Sequence, residues 1–115
     1  MKLINLENGQ ILVQKLRTAD TFVKRFLGLM FTKTLPADCG LHLRPCKGIH
    51  TFFMRYNIDV LHLDEGHQVI FLEEDVSPGK VGKTYPRTWE IIELPSGKIR
   101  ETATAVGHKL QFSEK

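Results

Sequence analysis

The stretch at residues 46–64, CKGIHTFFMRYNIDVLHLD, constrains the fold more than any other part of the chain. It is rich in β-branched and aromatic residues, and a break at Tyr56-Asn57 divides it into two halves. In each half, successive side chains of an extended chain would point to opposite faces, and both faces would be largely apolar. Strands that are apolar on both faces are typically covered on both sides. We therefore predict a buried pair of strands at the centre of a β-rich fold.

The same alternation places polar side chains inside this pair. His50 would share a face with Phe52 and Met54, and Asp59 would share a face with Leu61 and Leu63. An isolated ionised carboxylate in such surroundings is costly, so it must be paired or protonated. His50 and Asp59 are therefore the first candidates for a functional site.

The remaining chain predicts more strands and one helix. Asn8-Gly9 lies between two β-rich segments and is typical of a hairpin turn. Over residues 20–30 the apolar residues recur at helical spacing, and Asp20 is a suitable N-cap. The other predicted strands are residues 2–5, 11–15, 40–43, 69–72, 89–94 and 107–112, with a short helix as the alternative for 89–94. A helical turn is expected within residues 99–105.

Length and composition indicate a single domain over residues 1–115. A chain of 115 residues has room for one core, and 42% hydrophobic with 25% charged residues is ordinary for a globular protein. Together with the pattern of strands, this predicts a mainly β fold of the sandwich or barrel type, antiparallel or mixed. One α-helix near residues 20–30 would pack on its side.

Charge and hydropathy argue against several function classes. The net charge is only +3, and the basic residues are spread among acidic ones, so nucleic-acid binding is not expected. The sequence contains no N-terminal signal-like segment and no 18-residue apolar run, so no membrane partner is expected either. Two cysteines do not form a disulfide scaffold, which indicates a cytoplasmic protein with free thiols.

Four sequence blocks in a fixed order resemble a known family. They are R-x-x-G-L-M from Arg25, I-H-T-x-F-M-x-x-x-I-D-V-L-H-L from Ile49, E-I-I-E-L-P-S-G from Glu90, and the segment 107–110. Over about residues 17–112 the chain resembles the DUF192 family of small, functionally uncharacterised proteins. The resemblance implies a sandwich-like β fold with a helix in the N-terminal third, and it implies no established activity. The chain has Gly107-His108 where the family often has Gly-Asp.

A metal site is one chemical candidate. The ligand types of a tetrahedral zinc site occur in the pattern C-x2-H-x3-C-x3-H, formed by Cys39, His42, Cys46 and His50. Structural zinc usually uses a tight cysteine knuckle, whereas Pro45 and extended segments separate these residues. The alternative is two buried thiols and two histidines with local hydrogen bonds. We favour the alternative and predict neither a metal nor a cofactor.

Nucleophilic catalysis by Cys46 with His50 as its base is a second candidate. A neighbouring imidazolium would favour the reactive thiolate. Four residues of extended chain span about 13 Å, so a turn at Lys47-Gly48 would have to bring the two side chains together. A small metal-dependent or Cys/His-dependent hydrolase-like enzyme is therefore the alternative function, and whether the chain is an enzyme stays open.

The third candidate is a site built on carboxylates. Arg25 lies at the edge of the apolar side of the predicted helix, and its planar fork could pair with Asp59 or Glu93. One interpretation is a structural ion pair that docks the helix on the sheet. The other is a polar pocket that also uses His50 and Thr51, between the N-terminal half of the helix and the strands around residues 50–59.

The ligand-binding candidates are therefore Arg25, His50, Thr51, Asp59 and Glu93. The function that follows is a non-catalytic binding or accessory module for an unidentified small molecule or protein.

Overall fold

The computed structural model describes residues 1–114, and within them the chain forms eight strands and two short helices. The strands are β1 (Lys2–Asn5), β2 (Ile11–Val13), β3 (Lys15–Ala19), β4 (Cys39–Leu43), β5 (Ile58–Leu63), β6 (Val69–Val76), β7 (Glu90–Pro95) and β8 (Leu110–Ser113). The helices are α1 (Phe22–Leu27) and α2 (Lys98–Glu101). The mainly β fold is confirmed.

The strands form two sheets. A three-stranded antiparallel sheet has the order β2-β1-β8, and a five-stranded sheet has the order β3-β4-β7-β5-β6. In the larger sheet only β3 and β4 are parallel to each other, and the segment that connects them contains α1. The predicted hairpin at Asn8-Gly9 joins β1 to β2, with Gly9 at a φ of +74°.

Both faces of the five-stranded sheet are covered. One face packs against the three-stranded sheet, in a core that includes Leu3, Leu61, Ile92 and Leu94. The other face packs under Leu29, which follows α1, and under the segment that follows β4, in a second core that includes Met54 and Val60. All six residues of β5 are buried, which confirms the predicted two-sided strand at residues 58–63.

The first half of the predicted strand pair is wrong. Residues 49–55 form a loop with one isolated β-bridge, between His50 and Val81. The backbone of this loop pairs with the segment 77–82 instead of with the sheet, since Thr51 N–H donates to the Lys80 carbonyl and Gly79 N–H donates to the Thr51 carbonyl. As a result Phe52 and Phe53 are exposed and do not contribute to the core that we expected.

The predicted helix forms, but it is shorter than its apolar pattern. Thr21, and not Asp20, caps it, because the Thr21 hydroxyl accepts a hydrogen bond from Lys24 N–H at 3.2 Å. The helix ends at Gly28, and none of its residues is buried. No helix in the described part of the chain has the length and apolar character needed to cross a bilayer.

Candidate functional site

A cleft of about 340 Å³ opens between α1 and the loop that follows β4. Arg25 and Phe26 of α1 line one side of the cleft, and Cys46 and His50 of the loop line the other. Glu93 of β7 is the buried acidic residue in the cleft lining. The cleft therefore lies over β7, the central strand of the five-stranded sheet.

The end of α1 builds the cleft wall beside Glu93. Gly28 adopts φ +48° and ψ −123°, a conformation that side-chain-bearing residues rarely adopt. A Cβ at this position would lie 3.6 Å from Glu93 Oε1, so the backbone passes directly over the carboxyl group. Leu29 then turns inward and is buried. The R-x-x-G-L-M block therefore ends the helix directly above the carboxyl group of Glu93.

Glu93 is the most unusual titratable group in this cleft. Its side chain is buried, and within residues 1–114 its Oε1 atom has no hydrogen-bond partner. Burial penalises the charged form and raises the pKa of Glu93 to about 8. Most molecules therefore carry a protonated Glu93 at neutral pH, and this carboxylic acid can donate a hydrogen bond as well as accept one.

Arg25 lies on the rim of the cleft and holds the backbone together. Its Nη1 atom donates to the carbonyl of Asp20 at 3.0 Å and to the carbonyl of Arg44 at 3.5 Å. Among the described residues it forms no ion pair with Asp59 or Glu93. The guanidinium therefore places a positive charge near the mouth of the cleft without neutralising the acid inside it.

His50 is fixed between the loop and α1. Its Nδ1 atom accepts from Phe52 N–H at 3.2 Å, and its Nε2 atom donates to the Phe26 carbonyl at 3.3 Å. These partners assign the neutral tautomer with the proton on Nε2. The ring also stacks on Phe52 at a centroid distance of 5.3 Å. His50 therefore positions the cleft wall with both ring nitrogens engaged.

Thr51 and Asp59 lie outside the cleft. The Thr51 hydroxyl donates to the Ser77 carbonyl and accepts from Lys80 N–H, both at 2.8 Å. The Asp59 carboxylate accepts from the backbone N–H groups of Asp75 and Ile99, both at 2.9 Å.

The predicted pairing of Arg25 with Asp59 is therefore wrong. Asp59 points to the face of β5 that also carries Leu61 and Leu63, towards the three-stranded sheet. Arg25 belongs to α1, which covers the opposite face of the larger sheet. Strand alternation thus separates the two side chains by the thickness of the sheet.

The four candidate zinc ligands are not brought together. Cys39 contacts the neighbouring Asp38, Cys46 Sγ donates to the Gly48 carbonyl at 3.1 Å, and His42 contacts Glu90. In residues 1–114 no three His, Cys, Asp or Glu side chains are arranged to hold a metal ion. Desolvation by burial raises the pKa of the Cys46 thiol, and His50 has no free nitrogen to serve as its base.

A second buried acid, which the sequence analysis did not identify, lies on the other face of β7. Glu90 Oε1 is 3.1 Å from His42 Nε2, and Glu90 Oε2 is 3.6 Å from His67 Nε2. The Thr18 hydroxyl lies 3.3 Å from His42 Nδ1, and the Phe112 ring stacks on His42 at 4.5 Å. The sequence does contain a signal for this second acid. In a strand, the two glutamates of E-I-I-E are three residues apart, so their side chains point to opposite faces.

Comparison with known proteins gives a family and relatives. The family model DUF192, described as Uncharacterized ACR, matches residues 3–112. The UPF0127 protein PF1050 of Pyrococcus furiosus is 32% identical to this chain over 114 residues, which cover 96% of this chain and 97% of that protein.

Two solved structures share the fold. A protein of unknown function from Novosphingobium aromaticivorans superposes with a TM-score of 0.84 at 14% identity, covering 96% of this chain and 82% of that chain. A protein of Sinorhizobium meliloti that carries the provisional name of a transcription regulator superposes with a TM-score of 0.81 at 16% identity, covering 96% and 89%. At these identities the similarity establishes the fold alone.

Proposed function

Since the chain belongs to the DUF192 family of uncharacterised proteins, we propose its function from the cleft itself. The protein is a non-catalytic binding module for a small, mainly apolar molecule that carries a hydrogen-bond-accepting head group, such as a carbonyl or a carboxylate. The observation that supports this proposal is the buried, unpartnered Glu93 Oε1 in the cleft.

The head group follows from the protonation of Glu93. A buried polar group without a partner is costly, and a ligand that supplies the missing hydrogen bond would remove that cost. With its pKa raised to about 8, Glu93 presents an acidic O–H at neutral pH. Arg25 adds a positive charge at the rim. Together these two groups favour a neutral or negatively charged acceptor over a cation.

The body of the ligand follows from the walls. Apolar side chains line the cleft together with Glu93, including Phe26, Leu29, Leu43 and Met54. A volume of about 340 Å³ is at the lower end of the range for small-molecule pockets. The ligand is therefore small, and most of its surface is apolar.

Binding is favoured over catalysis by the state of the two reactive side chains. Burial keeps the Cys46 thiol protonated by raising its pKa, and its Sγ donates to the Gly48 carbonyl. Both nitrogens of His50 already have backbone partners. A thiol nucleophile needs a base within hydrogen-bond reach, and the cleft residues that we describe provide none that is free.

The test is a thermal-shift screen of wild type at pH 7 with a library of apolar carboxylates and carbonyl compounds, followed by calorimetric titration of the compounds that stabilise it. Affinity should fall about tenfold between pH 7 and pH 9, because the protonated fraction of Glu93 falls by about that factor. Glu93→Gln keeps an N–H donor and should bind with little dependence on pH. Glu93→Leu should not bind at either pH.

Glu101→Gln, on the exposed side of α2, is the matched control and should behave as wild type. If Glu93→Leu binds the same compounds as tightly as wild type, or if no compound in the library stabilises wild type, the proposed cleft function is wrong.

The two free cysteines, Cys39 and Cys46, also lead us to propose a reducing compartment, the cytoplasm, as the place of function. Fractionation of cells that express the tagged chain would test this location.

A further inference from the structure

We propose that the side of the molecule on which the cleft opens docks onto an anionic phospholipid surface, a peripheral contact that revises the expectation of no membrane partner. The contact would be made by exposed phenylalanines of α1 and of two loops, surrounded by basic side chains. This inference does not depend on which ligand the cleft takes.

We call this surface the phenylalanine face, and it consists of Phe22, Phe26, Phe31, Phe52 and Phe53, with Val23 and Leu27 of α1. Ring contacts connect its members. The rings of Phe22 and Phe26 are 6.4 Å apart, those of Phe31 and Phe53 are 5.3 Å apart, and His50 packs between Phe26 and Phe52. The five rings therefore form neighbouring groups on one side of the molecule.

The exposure of this face is unusual for an isolated chain. Phe22 is 75% exposed, Phe53 is 65% exposed and Phe31 is 60% exposed. The five phenylalanines together present roughly 500–700 Å² of apolar surface, if a full ring side chain contributes about 200 Å². The largest apolar patch on a typical monomer is about 300–600 Å² and is often functional. The phenylalanine face is at the upper end of that range, before Val23 and Leu27 are added.

Backbone strain supports a functional reason for this exposure. Phe31 has a φ of +64° and Phe53 a φ of +61°, in the left-handed region that bulky residues rarely adopt. The backbone also joins them, because Phe31 N–H donates to the Phe53 carbonyl at 3.1 Å. Two strained residues thus hold a stacked pair of rings at the surface, where burial gives no compensation. Strain retained in this way is typical of functional segments.

Basic residues lie close to the phenylalanines along the chain. Lys24 lies in α1, Lys33 lies two residues after Phe31, and Arg55 lies two residues after Phe53. Among the residues of α1 and of the loops that carry the phenylalanines, Lys24, Arg25, Lys33 and Arg55 are basic, and Asp20 before α1 is acidic. The occupant of this face is therefore expected to be negatively charged.

Charge and composition favour an anionic lipid surface over a second copy of the chain. Self-association through the face would bring two positively charged surfaces together, which is unfavourable. Phenylalanine side chains beside lysine and arginine are instead typical of segments that insert shallowly at the headgroup boundary of anionic membranes.

The test is co-sedimentation of the full chain with vesicles of phosphatidylcholine alone or with 30% phosphatidylglycerol (roughly the anionic content that gives a strong surface potential). Binding is expected only to the anionic vesicles. It should weaken at high salt, because salt screens the electrostatic part. Phe22→Ser with Phe53→Ser should weaken binding at least tenfold, and so should Lys24→Glu with Arg55→Glu.

Matched controls use exposed residues outside the face. Val81→Ser with Val106→Ser removes side chains that are 74% and 58% exposed, and this pair should bind as wild type. Lys109→Glu, at an exposed position just before β8, is the charge control. Circular dichroism confirms that each variant is folded. Glu93→Leu should still bind vesicles, which separates this inference from the cleft function.

Three outcomes would overturn the proposal. They are equal binding to neutral and anionic vesicles, vesicle binding that the phenylalanine pair does not change, and the absence of vesicle binding. A wild-type dimer in solution that Phe22→Ser with Phe53→Ser converts to a monomer would assign the face to self-association instead.

Discussion

Glu90 and Glu93 lie three residues apart on β7, and their side chains point to opposite faces of the five-stranded sheet. Both side chains are nearly inaccessible to solvent. Glu90 lies beside two histidines, with Oε1 at 3.1 Å from His42 Nε2 and Oε2 at 3.6 Å from His67 Nε2, although Glu90 Oε2 and His42 Nε2 form no hydrogen bond among the described residues. Glu93 meets apolar side chains and the backbone at Gly28, and its Oε1 atom has no partner among the described residues.

The difference shows two ways in which a β-rich core accommodates an acid. Glu90 has the imidazole nitrogens of His42 and His67 at 3.1 Å and 3.6 Å, and these polar neighbours can compensate for its lost hydration. In the cleft no cation is close enough, so protonation compensates for it, and the pKa of Glu93 is raised to about 8. A paired acid is stable in the core without a ligand, whereas a protonated acid with an open hydrogen-bonding position is suited to receive one.

The largest expected effect is the dependence of stability on pH that Glu93 imposes. Its pKa is near 4.5 in the unfolded chain and about 8 in the folded one, so the folded state holds one more proton between these values. The free energy of unfolding should therefore fall as pH rises, by about 3–4 kcal/mol between pH 5 and pH 8. Urea unfolding of wild type and Glu93→Gln at several pH values measures this difference.

Wild type must be compared with Glu93→Gln, because His62 makes the stability change with pH in the opposite direction at lower pH. Desolvation lowers the pKa of His62 to about 4, so its contribution to stability falls as pH drops from 6.5 towards 4. Subtracting the Glu93→Gln curve from the wild-type curve removes this contribution. Parallel curves for the two proteins would mean that Glu93 is ionised in the folded state.

The next effect is expected at the paired acid. Glu90→Gln replaces the carboxyl group beside His42 and His67 by an amide, and disrupting a buried polar contact costs about 1–3 kcal/mol. Glu93→Gln is the matched substitution on the same strand, and it should cost less than about 1 kcal/mol at pH 7. Equal losses in urea unfolding at pH 7 would contradict the distinction between the two sites.

Gly28→Ala tests the wall of the cleft beside Glu93. A Cβ there meets only ordinary contacts, so the cost comes from the positive φ and should be about 1–2 kcal/mol. Gly66→Ala is the control, because Gly66 has an ordinary φ and little nearby structure, and it should change the free energy of unfolding by less than about 0.5 kcal/mol. If thermal unfolding shows the two variants equally stable, the backbone at Gly28 is not strained as described.

The smallest effect is expected on the Glu90 side. Thr18→Val removes the hydroxyl that lies 3.3 Å from His42 Nδ1 and should cost about 1 kcal/mol, the usual value for one hydrogen bond. Thr18→Ser keeps the hydroxyl and should cost clearly less in the same urea experiment. A serine variant as unstable as the valine variant would show that packing, and not the hydrogen bond to His42, is what matters there.

The parts of the fold that sequence reasoning predicted well are those with strong local patterns. β5 was predictable because residues 58–63 are apolar on both faces, and the structure buries all six. Residues 49–55 are also mostly apolar, yet they form a loop that pairs with residues 77–82. An apolar sequence pattern predicts buried side chains, and no feature of the neighbouring sequence indicates that Phe52 and Phe53 are exposed.

The candidate site was predictable in part for a similar reason. Arg25, His50 and Glu93 line the same cleft, because the helix and the loop after β4 cover one face of the sheet. The alternation of β5 placed Asp59 correctly beside Leu61 and Leu63, but it does not reveal which face the helix covers. Glu90, His42 and His67 were missed as a group because β4, β7 and the turn before β6 are distant in sequence.

The parallel pairing of β3 with β4 has an evolutionary consequence. Two neighbouring parallel strands need a long connection that leaves the sheet and returns to it, and here that connection contains α1, one wall of the cleft. Connections of this kind tolerate changes in length and composition that strands do not. Relatives with this frame can therefore differ in what they accept by changing the residues of this connection outside the R-x-x-G-L-M block, while the acid on β7 stays where it is.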